Sequence, residues 1–201
     1  MDKDTILQEL TEAGALLKGH FILSSGLHSE GYVQCARALI DPKRSERLCS
    51  ALAQKVQASL KEQSATIDIV VAPAMGGLIV GYETARHLAV DSIFCERVEG
   101  SFEFRRGFTL PQNAKVLIVE DVVTTGKSSM EAAQCIEEAG GIPVAVASLI
   151  DRRGSSDHIA LTLPLMSLVE INFPAFSQDN IPAHLKDTPA VKPGSRWLKT
   201  G

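Results

Sequence analysis

Predicted strands and helices alternate through the middle of the chain, and this alternation restricts the possible folds more than any other feature. Short apolar runs predict strands, and apolar residues at helical spacing predict helices. The predicted strands are 67–72, 92–97, 115–121 and 143–151, and the predicted helices are 77–89 and 126–140. Such alternation is typical of an α/β fold, a mainly parallel sheet flanked by helices on both faces. Ligands of these folds bind beyond the carboxyl ends of the strands, so we expect the function in the loops that follow the four strands.

Two further helices are predicted before the alternating region, at residues 4–18 and 42–60. Pro42 suits the first turn of the second of these helices. Residues 102–110, FEFRRGFTL, interrupt the alternation and are interpreted as an inserted ribbon or a flexible arm. No repeat or linker divides the sequence, so a single domain over residues 1–201 is expected.

Composition restricts the possible partners. The 201 residues are 45% hydrophobic and carry a formal net charge of −4, which favours a globular protein with a full core. No run approaches the roughly 20 apolar residues that a membrane span needs, and the start lacks a secretion pattern, so a cytoplasmic location is expected. A mildly acidic chain without a basic block argues against nucleic-acid binding. The four cysteines form no CxxC pair and are expected to be buried free thiols.

The stretch VLIVEDVVTTGKSS at residues 116–129 combines an apolar strand, two adjacent acids and a loop of small and hydroxyl residues. Free backbone N–H groups and the helix dipole make the loop 124–129 suitable for one phosphate. Glu120 and Asp121 would repel that phosphate, but ionised carboxylates can each accept hydrogen bonds from vicinal hydroxyls. The stretch therefore predicts a site for a ribose 5-phosphate group.

This stretch has two other interpretations. A nucleotide-binding P-loop requires glycine where the chain has Asp121. A purely structural strand followed by a capped helix would explain the threonines and serines, but it does not explain two adjacent acids.

The same stretch resembles the phosphoribosyl-diphosphate signature of type I phosphoribosyltransferases. Other segments are similar to the orotate branch of that family: GHFILSSGLHSEGYVQCARAL, VVAPAMGGLIVGYETAR, CERVEGSFEFRRGF, SLIDRRG and AVKPGSR. The resemblance implies the type I fold, with an N-terminal hood and base-binding segment at 1–40, a core at 65–170 and a flexible arm. It implies transfer of ribose 5-phosphate from phosphoribosyl diphosphate to orotate in pyrimidine synthesis, with Mg²⁺, in a homodimer.

Family roles can be carried onto matching positions of this sequence. By resemblance, the phosphoribosyl-diphosphate loop comprises Glu120, Asp121, Val122, Val123, Thr124, Thr125, Gly126, Lys127 and Ser128. Thr124 and Arg152 correspond to positions that contact orotate, and a planar guanidinium suits a carboxylated base. The diphosphate loop matches Pro73, Ala74, Met75, Gly76 and Gly77. The residues expected to act in catalysis are Glu120, Asp121, Arg97, Arg105 and Arg106. No protein side chain is predicted as a metal ligand, since Mg²⁺ prefers the oxygens of the diphosphate.

The sequence departs from the best-known members of that family at several charged positions. Those members have a lysine where this chain has Gly76, another where it has Ser24, and a lysine-rich mobile loop where it has Arg97 and the two arginines of the arm, Arg105 and Arg106. Arginine can neutralise a departing diphosphate but is a poor proton donor. A solvated hairpin or a subunit contact is the alternative role for the arm. The five histidines are interpreted as structural or solvated.

Two other functions remain open at this point. The first is a phosphoribosyltransferase that uses a purine base. The second is a regulator that binds nucleotides without catalysis, which the missing lysines would favour and the intact acid pair would not.

Overall fold

The computed structural model describes residues 1–23, 25–155 and 161–193. The strands are β1 (Leu16–Ile22), β2 (His28–Val33), β3 (Ile69–Pro73), β4 (Asp91–Val98), β5 (Ser101–Phe104), β6 (Lys115–Val123), β7 (Ile142–Asp151), β8 (Leu165–Glu170) and β9 (Ala175–Phe176). The α-helices are α1 (Lys3–Glu12), α2 (Pro42–Glu62), α3 (Gly77–Leu88), α4 (Lys127–Glu138) and α5 (Ala183–Lys186). Short 3-10 helices lie at Cys35–Arg37, Arg153–Ser155 and Gln178–Asn180.

The main sheet has six strands in the order β5-β4-β3-β6-β7-β8, and only β5 runs antiparallel to its neighbour. Its central strands are buried on both faces because their apolar residues are continuous. Val70 belongs to the core formed with α1, α2 and α3, whereas Val71 belongs to the core formed with α4. This arrangement confirms the predicted α/β fold.

Two glycines bring α3 unusually close to the sheet. A Cβ atom on Gly81 would lie 2.6 Å from the Cβ atom of Ala72, and one on Gly77 would lie 2.9 Å from the carbonyl oxygen of Val119. Only glycine fits at these positions, because real side-chain carbons do not approach so closely. The close contact places the start of α3 directly beside the carboxyl ends of β3 and β6.

A second, three-stranded antiparallel sheet, β1-β2-β9, forms a hood beside the main sheet. His20 Nε2 and His28 Nδ1 are 2.6 Å apart, and His28 Nε2 lies 2.5 Å from Gln178 Oε1. These two histidines are buried, and their ring nitrogens contact groups of the same chain. Val191 pairs with Phe21, so a C-terminal segment also holds the hood.

The predicted helix at 4–18 is wrong beyond residue 12, because β1 begins at Leu16. Gly14 has φ +63°, in the left-handed region that ends helices. The other predicted helices are present within two residues of their expected ends, and the cysteines are buried free thiols, as predicted. The ribbon prediction is confirmed by β5, which pairs with β4 at the sheet edge. In the described residues, no helix is both long and apolar enough to cross a membrane.

Candidate active site

The two acids lie inside β6 near its carboxyl end, because the strand continues to Val123. Glu120 is buried and accepts a short hydrogen bond from the Ser129 hydroxyl of α4. Burial raises the pKa of Glu120 to about 7; the nearby Asp121 carboxylate adds to this effect and the Ser129 hydrogen bond opposes it. Burial also raises the pKa of Asp121. Hydroxyl donors from a ligand would stabilise the ionised form of both carboxyl groups.

The loop that follows β6 leads into the uncapped start of α4. Gly126 has φ +81°, and α4 begins without a side-chain cap. The first N–H groups of the helix therefore face the loop, where the helix dipole attracts negative charge. Thr124, Thr125 and Lys127 are exposed around it. Val123 points into the core, so only its backbone can contact a ligand in this loop.

The loop between β3 and α3 touches the acid pair directly. A Cβ atom on Gly76 would lie 2.6 Å from Asp121 Oδ1, so the backbone of this loop packs against the carboxylate. The Ala74–Met75 peptide bond is cis, and the Met75 side chain is 80% exposed. The structure thus explains glycine at position 76: any side chain there would displace Asp121.

Arg152 follows β7 and lies next to the phosphate loop. Its backbone N–H donates to the carbonyl oxygen of Val123 at 2.8 Å, which brings residues 124 and 152 side by side. The Arg152 side chain is only 6% exposed, and its buried Nε has no hydrogen-bond partner. Burial lowers the pKa of Arg152. By contrast, the neighbouring Arg153 forms an ion pair with Asp151 at 2.9 Å.

Tyr32 on β2 is a site residue that the sequence analysis missed. Burial raises the pKa of Tyr32; the positive charge of Arg152 opposes this shift and the negative charge of Asp121 adds to it, so the phenol lies within the range of both charges. Tyr32 lies within the N-terminal segment that carried the family resemblance. No local pattern distinguishes it there, because its proximity to Arg152 arises from the packing of the hood against the sheet.

Arg97 of β4 and the two arginines of the arm have different surroundings. Arg97 binds Glu131 of α4, and its guanidinium lies 4.2 Å from the centre of the Phe102 ring. Arg106 binds Glu96 of β4. Arg105 is exposed and makes no hydrogen bond or ion pair through its side chain within the described ranges.

The structure therefore brings together the acid pair, the phosphate loop, the diphosphate loop and Arg152 at one edge of the sheet. It holds Arg97 and Arg106 on carboxylates of their own chain, and their catalytic role stays a prediction. Ser24 lies outside the described residues.

Comparison with known proteins identifies the family. A profile for the phosphoribosyl transferase domain matches residues 37–161. The chain is 54% identical to the orotate phosphoribosyltransferase of Sphingopyxis alaskensis and 52% identical to that of Novosphingobium aromaticivorans, covering 98% of both chains in each case. The chain belongs to the orotate phosphoribosyltransferase family.

Solved structures of phosphoribosyltransferases share the fold of this family member. The orotate phosphoribosyltransferase from Aeropyrum pernix matches with a TM-score of 0.68 and 24% identity, over 83% of this chain and 93% of that one. An adenine phosphoribosyltransferase matches with a TM-score of 0.64 and 19% identity, over 82% of this chain and 99% of that one. The fold alone thus does not distinguish an enzyme that uses orotate from one that uses adenine. The sequence similarity to full-length relatives favours orotate.

Proposed function

We propose that the protein is an orotate phosphoribosyltransferase, which converts orotate and phosphoribosyl diphosphate into orotidine 5′-monophosphate and diphosphate in the synthesis of UMP. The observation that carries this proposal is Arg152. It is a buried guanidinium with no hydrogen-bonding partner at Nε, next to a loop and an acid pair suited to ribose 5-phosphate. A buried cation of this kind suits an anionic base, and orotate has a carboxylate that adenine lacks.

Phosphoribosyl diphosphate binds across the ends of β3 and β6. Glu120 and Asp121 accept hydrogen bonds from the two ribose hydroxyls, and the loop 124–128 binds the 5′-phosphate. The loop 73–77 binds the diphosphate through its backbone, which the absence of a side chain at Gly76 permits. The close approach of Gly76 to Asp121 supports this proposal, because it brings the loop 73–77 against the acid pair.

Orotate lies between Arg152, Thr124 and Tyr32. The guanidinium binds the base carboxylate, and the Tyr32 ring offers a flat surface near it. The bond between C1′ and the diphosphate breaks as the orotate nitrogen bonds to C1′ from the opposite face, and the proton of that nitrogen passes to the departing diphosphate. Positive charge develops on the ribose during this step, and the adjacent carboxylates stabilise it. Arg105, which has no partner within the described chain, is the arm residue best able to reach the departing diphosphate.

The proposal includes Mg²⁺ as a cofactor that enters with the diphosphate. Among the described residues, no group of three or more histidine, cysteine, aspartate or glutamate side chains could hold a metal ion. We expect that diphosphate oxygens and water would hold the ion and that the loop 73–77 would bind the complex. When bound, Mg²⁺ supplies charge that neutralises the leaving group. Addition of EDTA should abolish turnover and excess Mg²⁺ should restore it; turnover unaffected by EDTA would contradict the cofactor proposal.

A homodimer is also proposed, with the outer face of α3 as the contact. Ile79 and Tyr82 lie about one turn apart on α3 and are 53% and 67% exposed, and Met75, in the loop just before the helix, is 80% exposed. This stripe starts in the diphosphate loop, so a second copy seated there would bring its arm close to the site. Mixing Arg105→Ala and Asp121→Asn proteins tests this arrangement. If the arm acts in the partner's site, each mixed dimer has one intact site of two, so an equimolar mixture with random exchange should recover about a quarter of wild-type activity. No recovery would place the arm in its own site or make the protein a monomer.

The decisive experiment for the function follows the loss of orotate absorbance with phosphoribosyl diphosphate and Mg²⁺. Wild-type protein should consume orotate but not adenine, and Asp121→Asn should lower kcat/KM by at least about tenfold. Asp91→Asn, an exposed acid at the opposite end of the sheet, is the matched control and should leave kcat/KM unchanged. Consumption of adenine would support a purine enzyme, and tight binding without turnover would support a regulator.

A further inference from the structure

Phe173 connects the two sheets at the base of the hood. It lies between β8 of the main sheet and β9 of the hood, and β9 pairs with β2 through Ser29 and Ala175. The ring occupies the space where a side chain on Gly31 would stand: a Cβ atom there would be 2.3 Å from the ring carbon Cδ1. The ring is therefore held tightly against β2.

The Arg152 guanidinium lies over this ring, with its central carbon 5.6 Å from the ring centre. A cation within about 6 Å of an aromatic ring is attracted by the electron density of the ring face. Neither the acid pair nor Asp151 forms an ion pair with Arg152 among the described residues, and Asp151 binds Arg153 instead. An arginine without a carboxylate partner needs another contact to hold its orientation.

We propose that Phe173 is a positioning residue that holds the Arg152 guanidinium in place to receive the carboxylate of the base. The ring supports the charged group without taking up its N–H donors, so these donors stay available for the ligand. A carboxylate at the same position would neutralise Arg152 and compete with the substrate. The aromatic ring thus orients the Arg152 guanidinium and leaves its positive charge available for the base carboxylate.

The inference rests on the proposed orotate function, and its test separates the two. Calorimetry first measures orotate binding to wild-type protein in the presence of a ribose 5-phosphate ligand, and steady-state kinetics measures KM for both substrates. A wild-type protein that neither binds nor converts orotate would overturn the proposed function and this inference with it. The remaining comparisons concern Phe173 alone.

Phe173→Leu removes the ring face but keeps an apolar side chain. It should raise KM and Kd for orotate by about 3- to 30-fold and change KM for phosphoribosyl diphosphate less than twofold. Phe173→Tyr keeps the ring face and should restore wild-type values. Phe176→Leu, on β9 of the same hood, is the matched control: it should lower the melting temperature to a similar degree without changing the orotate constants.

A double-mutant cycle with Arg152→Gln shows whether the effect passes through Arg152. In the Arg152→Gln background, Phe173→Leu should change orotate binding less than twofold, because the cation that the ring supports is gone. Equal effects in both backgrounds would overturn the proposal. So would unchanged orotate constants in Phe173→Leu, or equal losses for both substrates.

Discussion

Replacing Glu120 with glutamine should stabilise the unliganded protein, and the gain should be large at pH 8 and small at pH 5. Burial raises the pKa of Glu120 from 4.5 to about 7. Between these values the folded protein holds a proton that the unfolded chain releases, so the free energy of unfolding falls as the pH rises through this window. Glutamine carries no charge, and its side-chain oxygen can still accept the Ser129 hydrogen bond.

The size of the stability difference follows from the shift in the pKa of Glu120. One unit of pKa difference corresponds to about 1.4 kcal/mol, so a buried ionised Glu120 costs roughly 3 kcal/mol at pH 8. Only about 1 kcal/mol of this cost is already present at pH 5. Between pH 5 and pH 8, the free energy of unfolding of the variant should therefore rise by roughly 2 to 3 kcal/mol relative to that of wild type. This corresponds to a change in the melting-temperature difference of about 5–10 °C.

Urea unfolding of both proteins at several values between pH 5 and pH 8 measures this difference. Glu137→Gln, an exposed acid on α4, is the control and should show no pH-dependent gain. A stability difference between Glu120→Gln and wild type that is the same at both ends of the range would refute the reasoning. The same variant should bind phosphoribosyl diphosphate more weakly, because the amide replaces one acceptor oxygen with a donor.

Three further results are expected. Gly76→Ala should weaken phosphoribosyl diphosphate binding about tenfold in calorimetry, because the new methyl group would stand 2.6 Å from Asp121 Oδ1; unchanged affinity would contradict the packing argument. Arg105→Ala should lower kcat about 100-fold. Arg106→Ala should lower kcat much less, because Arg106 is already paired with a carboxylate. Equal losses of kcat in the two variants would contradict this ranking. Binding of ribose 5-phosphate at pH 7 should release protons from the wild-type protein and fewer protons from the Glu120→Gln variant. Calorimetry in two buffers with different ionisation enthalpies measures the number of protons released.

The main sheet and the phosphate loop could be predicted because their signals are local. A continuous apolar run followed by acids and small residues can be recognised without tertiary information, as in β6 and the start of α4. The helix at 4–18 failed for a related reason: Leu17 fits the apolar spacing of a helix and also that of the strand β1, and the turn at Gly14 decides between them.

The sequence by itself determined the α/β alternation, the acid pair and the phosphate loop, because neighbouring residues create those features. Only the tertiary structure decided why position 76 is glycine, where Tyr32 lies and which aromatic ring lies beside Arg152. Each of these depends on segments far apart in the chain that meet at the edge of the sheet. The pKa of Glu120 belongs to the same class, because burial of its carboxyl group is a property of the packed molecule and of no local pattern.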